Sequence, residues 1–112
     1  MKVFKKGQSV KTRADMKDYE TGKFEMGNWQ GRVVDFHSDE EGTFVEVQWD
    51  SVTLQNMPDE YIEESINEDL DYENFVLDPN DLELCEPRDE EKDVHRVQAE
   101  VDSRYFDMDS ED

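Results

Sequence analysis

The sequence predicts a mainly β fold: a small barrel of short strands over residues 1–86, a short helix inserted near 58–69, and an amphipathic helix over 87–106. Three observations predict it. The runs WQGRVVDF (Trp29 to Phe36) and TFVEVQWD (Thr43 to Asp50) are rich in β-branched and aromatic residues and flank the turn-forming SDEEG of Ser38 to Gly42, the pattern of a hairpin. The other strand-forming stretches are a few residues long and are separated by Gly, Asp and Asn. Near the C-terminus the pattern changes to Val94, Val97, Val101 and Tyr105, the spacing of one helix face.

Element by element, Gln8 to Arg13 reads as a first strand with Val10 as its one large apolar residue, after a turn at Gly7. The loop ADMKDYETGKFEMGN follows, carrying Tyr19, Phe24 and Met26. Loops of that length inside a domain are functional or tightly folded on themselves. In the hairpin, alternation places Val45, Val47 and Trp49 on one face and Phe44, Glu46 and Gln48 on the other, so Trp49 belongs to the core. Val52 to Leu54 reads as a short strand. Pro58 opens the helix PDEYIEESINEDL, with Asp59 and Glu60 complementing its dipole and Tyr61, Ile62, Ser65 and Ile66 on one side. Phe75 to Leu77 and Asp81 to Glu86 read as the last strand and its approach. The acidic DMDSED over 107–112 is expected to be disordered.

Charge narrows the function. Residues 1–34 contain eight basic and four acidic side chains, a balance of +4 against a total of −20, which leaves −24 on the remainder. A field of that sign repels a phosphate backbone, so direct nucleic-acid binding is disfavoured; basic proteins or peptides are the complementary partners. A further alternative is a regulator that mimics nucleic acid to occupy a basic protein. Cys85 stands alone, so no disulfide forms within the chain, and no stretch approaches the roughly 20 apolar residues of a membrane span. A cytoplasmic protein without a membrane segment is expected. The valine stripe of the last helix is expected to pack on its own domain, favouring a monomer over a dimer.

The order of a short strand, a long aromatic loop, a glycine-led strand, a hairpin and a final strand resembles an SH3-like barrel. Lys6-Gly7-Gln8-Ser9-Val10, Gly31-Arg32-Val33 and Val47-Gln48-Trp49 are similar to the K-G-x-x-V, G-x-V and V-x-W segments of KOW-like and Tudor-like members, over roughly residues 5–55. The W-Q-G-R-V, W-D-S-x-T-L and P-D-x-Y-I segments also resemble small bacterial proteins of SH3-like type, a likeness that implies no activity. In such barrels the ligand surface lies beside the first loop, which implies a partner-binding role for Tyr19, Phe24 and Trp29. KOW domains that bind RNA are basic; this chain is acidic, so a Tudor-like surface for a basic peptide fits the charge better.

Other chemistry finds less support in the residues. Trp29 also alternates with Gly31 and Val33, so a place at the rim of the core is open to it. Cys85 has no activating histidine signature, since His37 and His95 lie in a turn and in the last helix; it reads as a small buried residue, and no catalytic constellation emerges. One Cys and two distant His do not make a zinc site. From Asp69, the acids Asp69, Asp71 and Glu73 begin like a calcium loop, but Asn74 holds the glycine position and Asn80 the glutamate position. A calcium site of another type, built from Asp69, Asp71, Asp78 and Asp81, is the alternative reading.

Overall fold

In the computed structural model, alternating hydrophobicity becomes an antiparallel sheet of β1 (Ser9–Thr12), β2 (Gln30–Asp39), β3 (Gly42–Trp49), β4 (Asn74–Leu77) and β5 (Leu82–Leu84). The helices are α1 (Ser51–Asn56), α2 (Asp59–Asn67) and α3 (Glu91–Phe106), and a 3-10 turn over Pro79–Asp81 precedes β5. The structure describes residues 4–19 and 22–106; the acidic tail expected at 107–112 lies outside the described residues. The strand order is β4-β3-β2-β1-β5, with β4 and β5 at opposite ends, so the expected barrel is an open five-stranded sheet.

The β2–β3 hairpin forms as its residues dictate. Val45, Val47 and Trp49 are buried and the intervening residues are not. A bulge between Val33 and Asp35 resets the alternation of β2, so that Phe36 lies opposite Val45 while Asp35 faces Glu46. Gly31 pairs with Val10 on one side and Trp49 on the other. A Cβ there would stand 2.2 Å from the Gln48 carbonyl oxygen and 2.8 Å from a Val47 methyl, so the close approach of β2 to β3 requires glycine.

Val52 to Leu54, expected as a strand, is instead the body of α1. The reason is one buried carboxylate. Asp50, 2% exposed, accepts the Thr53 N–H at 2.8 Å and caps the helix. It also receives Arg88, Nε to Oδ2 at 2.8 Å and Nη2 to Oδ1 at 3.2 Å, and Arg88 donates to the Thr53 hydroxyl as well. The neighbouring Asp89 accepts the Ser51 N–H at 2.7 Å and lies 2.9 Å from Arg32 of β2. Two consecutive residues before α3 therefore grip the start of α1.

α2 runs as expected, burying Tyr61, Ile62 and Ser65 behind Pro58. The valine stripe of α3 is consumed within the chain: Val94, Val97 and Val101 are fully buried and the helix packs against α1. Tyr105 donates to Asp59 at the start of α2, and Tyr72 donates to Asp102. Cys85, expected to be buried, is only half-buried just past the end of β5, with its Sγ 3.5 Å from the Ser9 hydroxyl.

Two stability predictions follow from this packing. Gly31→Ala forces backbone apart and is expected to cost about 1–3 kcal/mol in urea denaturation. For Asp89, burial alone would push its carboxyl up, but the Ser51 hydrogen bonds and Arg32 outweigh it and hold the group below the ordinary carboxylate range. A depressed folded value means stability that is fully present above the unfolded pKa, near about 4, and lost as pH falls through the folded value. Asp89→Asn is therefore expected to destabilise most near neutral pH. Its deficit relative to wild type, read from denaturation curves, should shrink progressively as pH falls below about 4, and close only below the depressed folded value, where both side chains are neutral.

Candidate functional site

The long loop between β1 and β2 is folded on itself, as its length predicts. Met16 and Met26, both buried, anchor its two limbs, and the Met26 N–H donates to the Met16 carbonyl at 2.8 Å. The Thr12 hydroxyl donates to the Met26 carbonyl and accepts the Trp29 N–H. Nearer the tip, the Asp18 and Phe24 backbones pair at 3.1 Å, and the Asp18 carboxylate accepts the Phe24 N–H at 3.0 Å. This inner turn sends Tyr19 and Phe24 toward one hollow.

That hollow is an open groove of about 510 Å³ between the loop, β4 and α2. Its apolar wall is Tyr19, Phe24, Tyr61, Leu70, Phe75 and Val76. Five carboxylates share the lining: Asp18, Glu46, Glu64, Glu68 and Asp71. Aromatic faces beside carboxylates hold cations, through the ring quadrupole on one side and charge on the other.

The protein already holds one of its own cations in this way. The Lys23 ammonium lies 5.1 Å from the centre of the Phe24 ring and pairs with Glu60 at 2.7 Å and with Glu64. The hydrogen bonds it donates, to Glu60 first and then to Glu64, push its pKa above the ordinary lysine value. Lys23 thus remains charged beside Phe24 and Glu64, two residues of the groove lining.

Of the residues expected to meet a partner, Tyr19 and Phe24 line the groove and Trp29 does not. Tyr19 is 51% exposed, stacks on Phe75 with ring centroids 5.7 Å apart, and is held by its hydroxyl, which donates to Asp81 and accepts the Asp78 N–H at 3.1 Å. Burial of the ring and the bond to Asp81 push the phenol pKa up, so the hydroxyl stays protonated. Trp29 instead packs edge-on against both Trp49 and Tyr61, at 5.3 Å each, behind the groove wall. It occupies the rim of the core.

Tyr61 and Phe75 complete the site and were visible in the sequence only as a helix-face residue and a strand residue. Phe24 meets Tyr61 edge-on at 5.3 Å, and Phe75 stacks over Trp49 at 6.5 Å. The signal that could have found them is their shared aromatic character with Tyr19 and Phe24, separated by 37 to 56 residues of chain.

Of the four aspartates of the calcium reading, Asp71, Asp78 and Asp81 have structural partners of their own. Asp81 pairs with Arg13 at 2.8 Å and takes the Tyr19 hydroxyl, Asp78 caps the 3-10 turn through the Asn80 N–H, and Asp71 accepts the Glu73 N–H. Among the described residues, three ligand atoms come within 4.8 Å of one another at Asp35, His37 and Glu46, not at Asp69, Asp71, Asp78 and Asp81. There His37 lies 2.7 Å from Glu46, Lys6 lies 3.7 Å from Asp35, and Asn74 donates to Glu46 at 2.7 Å. The His37 and Asn74 hydrogen bonds hold the Glu46 carboxyl below its usual range. One imidazole with two carboxylates suits zinc better than calcium.

No helix among the described residues is long and apolar enough to cross a membrane. Comparison with protein-family models, curated proteins and solved structures found no match to this chain.

The placement of the aromatic rings separates those packed into the core from those on the groove. Trp29→Ala is expected to cost about 2–3 kcal/mol, since a half-buried indole leaves a gap beside Trp49 and Tyr61. Tyr19→Ala, at an exposed ring, is expected to cost about 1 kcal/mol or less by the same urea titration, while removing one wall of the groove.

Proposed function

We propose that this chain is a non-enzymatic binding module of SH3-like type that captures a basic peptide of a partner protein in the groove beside its first loop. What supports the SH3-like reading is the strand order, the long loop after β1 and the 3-10 turn before β5. What carries the binding reading is the Lys23 ammonium lodged between the Phe24 ring and two carboxylates. The groove has room and charge for further ammonium or guanidinium groups, with Glu46, Glu68 and Asp71 in its lining. A net charge of −20 adds a long-range field that draws basic partners and repels nucleic acid.

The test is calorimetric titration of the chain with a lysine- and arginine-rich synthetic peptide. Binding is expected to weaken steeply with salt, and roughly three- to tenfold in the double variant Glu68→Gln, Asp71→Asn, which removes two charges while keeping oxygen acceptors. Lys23→Ala is expected to tighten binding, because it vacates the Phe24 face and releases Glu60 and Glu64 to the incoming cation. A peptide affinity indifferent to all three changes would rule out the groove.

A further inference from the structure

β4 ends the sheet, and its backbone has a determinable phase. The Trp49 N–H donates to the Glu73 carbonyl at 2.9 Å, and the register continues as Gln48 with Asn74, Val47 with Phe75, Glu46 with Val76 and Val45 with Leu77. In an antiparallel ladder, hydrogen-bonded pairs alternate with non-bonded ones. Trp49 with Glu73 is a bonded pair, so Val47 with Phe75 and Val45 with Leu77 are bonded too. Asn74 and Val76 consequently turn their N–H and C=O groups away from β3. Among the described residues no strand continues the sheet beyond β4.

The groove lies along that edge. Its lining takes Phe75 from the face of β4 that meets Trp49, and Asn74 and Val76 from the opposite face, together with Glu46 of β3. A hollow over one face of a sheet would be lined by one parity of the strand. Contact with both parities is the footprint of a channel running beside the strand. Val76 is 43% exposed, and β4 carries neither lysine nor proline to deter pairing.

We infer that the basic segment bound in the groove adds to the sheet as a sixth strand, pairing with Asn74 and Val76 of β4. This rests on the groove reading above and specifies how the occupant is held. Two N–H and two C=O groups of β4 supply the backbone bonds, and the side chains of the incoming strand alternate between the two sides. One parity meets Tyr19 and Phe75, with Glu64 beyond; the other meets Val76 and Glu46. The occupant is therefore an extended segment of another protein, rich in β-branched residues and in Lys or Arg. Charge complementarity selects it, and the acidic stretch at 107–112 of this chain has the wrong sign to serve.

The test is amide hydrogen exchange by NMR on the full chain, with and without a synthetic dodecapeptide alternating Arg and Val. Without peptide, the Asn74 and Val76 amides should exchange rapidly while those of Phe75 and Leu77 are protected. With saturating peptide, exchange at Asn74 and Val76 should slow at least about tenfold. Val76→Pro removes an outward N–H that the β3–β4 ladder does not use, and is expected to weaken the peptide about tenfold or more while Val76→Ala does not. Peptide that binds and leaves the Asn74 and Val76 amides unchanged overturns strand addition but leaves the groove reading standing. Absence of any peptide binding overturns both. Should Val76→Pro fail to fold, the exchange measurement on the unaltered chain decides alone.

Discussion

Asp50 is the point on which the architecture turns. A carboxylate that is 2% exposed must be compensated, since an unpaired buried charge costs several kcal/mol. It is compensated by three groups: the Thr53 N–H, which starts α1, and the Nε and Nη2 of Arg88, which brings the segment before α3 across the end of β3. The Thr53 hydroxyl extends the network to β2 by donating to the Gln30 carbonyl and accepting the Gln30 N–H. Gln30 in turn donates to the Glu86 carbonyl at 2.7 Å. Strand end, helix start and the approach to α3 are thereby made one cooperative unit, in which the loss of any partner leaves another buried group unsatisfied.

With α1 turned away from the sheet by this capping, α2 and the chain after it return to place β4 against β3. The aromatic residues then meet in series: Tyr19 on Phe75, Phe75 on Trp49, Trp49 on Trp29, Trp29 on Tyr61 and Tyr61 on Phe24. The two ends of the series are the groove wall and its middle is core. The groove wall is therefore the margin of the hydrophobic core, backed by buried rings. Charge of one sign surrounds it, and the Lys23 contact illustrates what that combination attracts.

The local features were legible in the residues. Alternation in TFVEVQWD, a turn between the runs (tightened to Glu40 and Glu41, since Ser38, Asp39 and Gly42 pair as strand), the Pro58 helix and the valine stripe of α3 each depend on neighbours within a few positions. The folded character of the first loop, and Tyr19 and Phe24 as aromatics that it carries, were legible for the same reason. Val52 to Leu54 misled because β-branched residues favour strands, whereas the cap from Asp50 and its partner Arg88, 38 residues away, impose a helix. The bulge in β2 was invisible because nothing in Val33-Val34-Asp35 marks which residue is left unpaired. The aspartates at 71, 78 and 81 found a backbone turn or an arginine rather than one another, partners that abundance of carboxylates in the sequence does not reveal.

By itself the sequence determined which side chains want burial, where the chain turns, that the surface is acidic, and that its first loop presents aromatic rings. These follow from dihedral preference, periodicity and charge, which act over short separations. Only the tertiary structure decided that Trp29 supports while Tyr61 and Phe75 line the groove, and that β4 is left with an open edge. Those outcomes depend on which distant segments share the interior. Buried partners for Asp50 and ring contacts across the sheet select that arrangement, and no local pattern records it.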